Sequence, residues 1–187
     1  MAAAVRGGVD WVQIRDRKLS AAALLSLTER LSRTAREAAG QCGRRVRILM
    51  NRRLDVAMAA QADGVHLGFD AMKPQTARRL LGDAALVGVS THSAGEVRAL
   101  GKAASYVQLA PIHEPLSKVS TRAPLGTAGL RMAAAGGATV LAQGGIDAAN
   151  ARAACVAGAA GVCVTGAILL ADDPARAASE LREALDA

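Results

Sequence analysis

At 187 residues, 51% hydrophobic but only 2% aromatic, the chain is sized for one domain, read over residues 1–187, whose core must come from Ala, Val, Leu and Ile. One Phe, one Tyr and one Trp exclude a base-stacking sheet, and the net charge of +7 is mostly arginine scattered over helix faces, which reads as surface charge with no nucleic-acid partner. Three cysteines without a CxxC pair argue against a zinc site or disulfide framework and for a reducing, cytoplasmic setting, and no apolar run approaches the length of a membrane span or signal core.

Strand-like and helix-like segments alternate seven times. The strands read as Val9 to Arg15, Val46 to Met50, Gly64 to Gly68, Leu86 to Ser90, Tyr106 to Ala110, Thr139 to Ala142 and Gly161 to Thr165. They are short and mostly apolar without clean alternation, as strands buried on both faces are. The first helical stretch has Ser20 as N-cap and sets Leu24, Leu27, Leu31 and Ala35 on one face. The others run about Leu54 to Ala60, Pro74 to Leu81, Ala94 to Lys102, Gly126 to Ala135, Ala148 to Ala157 and Pro174 to Leu185, with Ser93 placed to cap the fourth. Right-handed crossovers then predict an α/β fold, a parallel sheet wrapped by helices.

Polar residues gather where these strands end. Gln13, Arg15 and Arg17 alternate, so they share a face, and two guanidiniums beside an amide suit a phosphate ester or pyrophosphate; a solvated strand edge would look the same. Asn51 closes the second strand and Ser90 the fourth. His66, alone on an apolar strand, reads more simply as a satisfied core residue. Residues 111–124 form a long loop after the fifth strand and contain His113, Glu114, Ser117 and Lys118, where loops of that length often carry function. Gln143-Gly144-Gly145 and Thr165-Gly166-Ala167 end the last two strands. Such glycine runs either turn tightly into a helix or present bare backbone N–H groups to a phosphate, and a pair of them at neighbouring strand ends favours phosphate.

Read in order, Trp11 to Arg17, Asn51 to Ala57, Ala62 to Gly68, Gly88 to Ser93, the Pro111 to Lys118 loop and Gln143 to Ile146 resemble the thiamine phosphate synthase and thiazole tautomerase family over nearly the whole chain. The resemblance implies a TIM (β/α)8-type barrel, of which seven strands are readable here; about eight residues precede the first of them, and the first β/α unit is not legible. It implies thiamine biosynthesis: a hydroxymethylpyrimidine pyrophosphate joined to a thiazole phosphate, with pyrophosphate released and Mg2+ as cofactor. Carried over by position, Gln13, Arg15 and Asn51 hold the pyrimidine and pyrophosphate, Ser90 and Lys118 assist the leaving group, and backbone at Gly144, Gly145, Gly166 and Ala167 holds the thiazole phosphate; Arg17, which stands where the family has a lysine, and Ser117 are further substrate-binding residues.

The departures from the family pattern concern the metal. Arg52 stands where the family has its first aspartate and Ala71 where it has its second, which leaves the neighbouring Asp70 as the candidate ligand. A metal-independent thiazole tautomerase, with His113 as its acid/base two residues from the family position, is the alternative, and a non-catalytic thiazole phosphate-binding regulator is a third reading. The partners expected are small phosphate and pyrophosphate substrates, with no membrane, and a homo-oligomer is left open.

Overall fold

The computed structural model describes residues 1–114 and 121–187. Seven strands, β1 (Trp11–Ile14), β2 (Arg47–Asn51), β3 (Gly64–Leu67), β4 (Leu86–Thr91), β5 (Tyr106–Leu109), β6 (Val140–Gln143) and β7 (Gly161–Cys163), pair in parallel and in strict sequence order. The helices are α1 (Ala2–Arg6), α2 (Ala21–Gln41), α3 (Leu54–Ala59), α4 (Pro74–Leu81), α5 (Ala94–Leu100), α6 (Gly126–Ala134), α7 (Ala151–Val156), α8 (Gly166–Leu169) and α9 (Pro174–Asp186). The sheet curls on itself, because Trp11 of β1 meets Tyr106 of β5 edge-on with ring centroids 5.1 Å apart. These two rings plug the barrel floor. Gly88 admits them, since a Cβ there would lie 2.1 Å from the Tyr106 ring.

Small side chains set the outer packing, as the composition requires. On α2 the buried residues are Leu24, Thr28, Ser32, Ala35, Ala38 and Ala39. Leu27 and Leu31, expected on the central face, flank it instead and are half-buried. Ser20 caps α2 through Ala23 N–H at 3.3 Å, Ser93 caps α5 through Glu96 N–H at 3.1 Å, and Asp173 caps α9 through Ala175 and Arg176.

The boundaries differ from expectation where local turns compete with the ladder. β1 starts at Trp11 because Gly8, at φ +122, turns the chain out of α1 and Val9 N–H bonds back to Ala4 O. β7 stops at Cys163. The helix expected from Ala148 begins at Ala151, after an Asp147–Asn150 turn in which the Asp147 carboxylate accepts from Ala149 N–H.

Two helices were not anticipated, α1 and α8, and α1 has a structural task. Its Ala4 joins the core shared by β5, β6, α6, α7 and α9, whereas the adjacent Val5 joins the core of β1, β2 and α2. Gly7 allows the approach to α9, where a Cβ would sit 2.1 Å from Ala175 O. Arg182 of α9 pairs with Asp10 at 3.2 Å, and the Arg44 guanidinium donates to Val5 O. Thus α1 spans the outside of the seam between β1 and β7, which no strand fills among the described residues.

Candidate active site

The carboxyl ends of the strands open into a cleft of about 600 Å3, within the range that holds drug-sized ligands. Gln13, Arg15, Arg17, Asn51, Ser90, Gly144, Gly145, Gly166, Ala167 and Asp70 all line it. Parallel register explains the convergence: Asn51 pairs with His66 and Ser90 with Gln108, so inward positions of successive strands form a ring. His113 is not among the lining residues. Its Cβ packs where a Gly145 side chain would go, and its Nε2 is buried with no hydrogen-bond partner among the described residues. Ser117 and Lys118 lie outside the described residues.

On the β1–β2 side, Asn51 Nδ2 donates to Gln13 Oε1 at 3.0 Å. Gln13 Nε2 is buried with no hydrogen-bond partner among the described residues, a donor that a ligand acceptor would satisfy. Beyond it stand Arg15 and Arg17. Arg15 sits below its ordinary pKa, first through partial desolvation, then through the like charges of Arg17 and Arg52.

Beneath the rim lies a neutral hydrogen-bonded layer. His66 bonds Ser90 Oγ through Nε2 at 2.8 Å and Tyr106 Oη through Nδ1 at 3.2 Å. The core reading of His66 therefore holds, yet the ring also faces the cleft. Burial, helped by Arg15, lowers its pKa to about 4, so it is neutral at pH 7. Gln108 Nε2 donates to Cys163 Sγ at 3.2 Å, and burial pushes that thiol up to about 11, which keeps it protonated. Gln108 and Cys163 were not singled out from sequence as site residues; a lone polar residue within an apolar strand was the available signal. Phe69 and His92 meet edge-on at 5.5 Å on the rim and were missed as well.

On the β6–β7 side the lining is largely backbone. Gly144 and Gly145 have φ of +94 and +60. A Cβ on Gly145 would lie 2.3 Å from Glu114 O, and one on Gly144 would lie 2.9 Å from Pro111. The loop after β5 is laid directly on this turn, with Ile112 N–H on Gln143 O and His113 N–H on Gly144 O at 2.8 and 3.0 Å. Helix α8 begins at Gly166 with no side-chain cap hydrogen bond, and Gly166 and Ala167 line the cleft, so no capping side chain competes for its first N–H groups.

The magnesium implied by the resemblance does not fit the donors present. Asp70 is the one carboxylate lining the cleft among the described residues, and it is ion-paired with the Arg52 guanidinium. No group of three or more His, Cys, Asp or Glu that could hold a metal occurs among the described residues, and residues 115–120 contain none of these types. Magnesium is usually held by one or two carboxylates together with substrate phosphates; here the single cleft carboxylate among the described residues already pairs with a guanidinium, and Arg15, Arg17 and Arg52 bring positive charge to the same cleft.

A family model described as thiamine monophosphate synthase matches residues 1–168. Thiamine-phosphate synthase of Anaeromyxobacter dehalogenans is 40% identical over 187 residues, covering 99% of this chain and 81% of that protein. The thiamine-phosphate synthase of Chloroflexus aurantiacus is 38% identical over 182 residues, covering 96% and 81%. Among solved structures, thiamine phosphate pyrophosphorylase from Pyrococcus furiosus superposes with a TM-score of 0.81 at 27% identity, covering 99% of this chain and 87% of that one.

Proposed function

The chain belongs to the thiamine monophosphate synthase family, and we propose that it is a thiamine phosphate synthase, joining hydroxymethylpyrimidine pyrophosphate to a thiazole phosphate. The observation that carries this reading is one cleft with two unlike anion-suited rims, arginines at β1–β2 and glycine backbone at β6–β7. A substrate pair that brings a pyrophosphate and a phosphate ester together matches such a division.

In the reaction the thiazole nitrogen forms a bond to the pyrimidine methylene carbon as the carbon–oxygen bond breaks. The electron pair leaves with pyrophosphate. No proton transfer is needed for that step, which suits a floor in which His66 is neutral and the Cys163 thiol is protonated. Gln13 and Asn51 orient the pyrimidine, and Gln13 Nε2 donates to it. Arg15 and Arg17 take the pyrophosphate charge as it develops. Ser90, hydrogen-bonded to His66 Nε2, lines the same cleft, with Ser117 and Lys118 assigned by resemblance alone. Gly144, Gly145, Gly166 and Ala167 receive the thiazole phosphate. The tautomerase reading is less favoured, because it needs His113 in the cleft, whereas His113 is not among the lining residues and its Cβ lies against Gly145.

The test is direct: purified protein given both substrates is expected to form thiamine phosphate and pyrophosphate in equal amounts. No product with or without added magnesium would overturn the synthase reading.

A further inference from the structure

We propose that fixed guanidiniums, Arg52 together with Arg15 and Arg17, take the place of a divalent cation in this cleft, so that pyrophosphate is bound without magnesium. The inference rests on the synthase reading for pyrophosphate as the natural ligand, and goes beyond it in saying what neutralises that ligand. Arg52 is built into the site by its backbone. It adopts the left-handed conformation, φ +64, and its N–H donates to His66 O at 2.8 Å across the β2–β3 ladder. Its guanidinium lies flat over Gly68, where a Cβ would approach Nη2 to 2.6 Å, and so is held over the cleft floor.

Charge decides what this arrangement can receive. Arg15, Arg17 and Arg52 line the cleft, with Asp70 as its one carboxylate among the described residues. Arg15 carries the repulsion of both Arg17 and Arg52, an arrangement that a polyanion relieves and a dication would aggravate. The Arg52–Asp70 pair is partly exposed, 38% and 54% by side chain, and pairs of that kind are worth little. A pyrophosphate, with more charge and a geometry that accepts bidentate guanidinium bonds, displaces Asp70 from Arg52. Asp70 is then the counter-ion that pyrophosphate replaces at Arg52.

Calorimetric titration with inorganic pyrophosphate, in EDTA and in magnesium, tests this on the whole chain. Affinity in EDTA is expected within about threefold of that in magnesium, because guanidiniums form charge-assisted bonds without a metal. Arg52→Gly, which suits a positive φ, is expected to weaken binding in EDTA by about tenfold or more, and Arg52→Lys by a smaller factor, since one point charge replaces a fork. Asp70→Asn should bind at least as tightly as the parent, and Arg79→Ala, which removes the same charge outside the cleft, should bind within about twofold of it. Arg52→Asp combined with Ala71→Asp is expected to make binding require magnesium. Binding of pyrophosphate by the parent only when magnesium is present, or unchanged affinity in Arg52→Gly, overturns the inference while leaving the synthase reading standing. Absence of pyrophosphate binding under both conditions counts against both.

Discussion

The two rims of the cleft face each other at the same end of the same sheet, yet they are made in opposite ways. At β1–β2 the anion-suited surface is side chain: Arg15, Arg17 and Arg52 project from the strand ends and the loops that follow them. At β6–β7 it is backbone, and the turn through Gly144 and Gly145 is packed closely by Pro111, His113 and Glu114. A side-chain rim can be rewritten one residue at a time, because Arg15, Arg17 and Arg52 each bring an independent side chain to it. A backbone rim cannot, because any Cβ at Gly145 must displace the loop after β5.

The most damaging way to break this comparison is Gly145→Asp. It combines a strained positive φ with a collision and a negative charge, and is expected to cost on the order of 1000-fold, about 4 kcal/mol, in thiazole phosphate affinity. Pyrophosphate affinity at the far rim should change far less in the same variant. Isothermal titration with each ligand reads the two separately, and an unaltered thiazole phosphate affinity would remove that ligand from the glycine rim.

The neutral layer between the rims offers a second, somewhat smaller effect. His66 titrates near 4 in the folded chain against 6.5 when free. Between those values the unfolded chain binds the extra proton, so this contribution to stability is complete above pH 6.5 and is lost as pH falls toward 4. The loss amounts to roughly 3 kcal/mol. Urea denaturation across that pH range should show the slope, and His66→Gln should flatten it; an equal slope in the variant would place its origin elsewhere.

A smaller change sharpens the contrast from the arginine side. Arg15→Ala is expected to weaken pyrophosphate binding by about 30-fold, the worth of a charge-assisted hydrogen bond near 2 kcal/mol. Thiazole phosphate should bind as before. Equal losses for both ligands would mean that the rims act through a general field and not as separate subsites.

Much of the architecture is legible in the sequence. Strand number, order and direction followed from short apolar runs spaced by helical periodicity, and the caps at Ser20 and Ser93 followed from residue type. Both depend on interactions within a few positions of each other. The strand-end residues Gln13, Arg15, Asn51 and Ser90 were legible for the same reason, since alternation along a strand dictates which side chains share a face. Positions such as Gln108 and Cys163 were not, because their partnership joins β5 to β7 and exists only once the sheet has curled.

The sequence by itself determined the β/α repeat, the glycine turns and the arginine-rich strand end, each written in local pattern and chemistry. Tertiary structure alone decided three other things. It placed α1 across the seam, with Ala4 and Val5 in separate cores, since which helices flank a short apolar segment depends on sheet closure. It set His113 against Gly145 and out of the cleft lining, since the course of a loop is set by what it packs on. And it joined Arg52 to Asp70, because a pair separated by a helix and a strand meets only when neighbouring strand ends are brought into register.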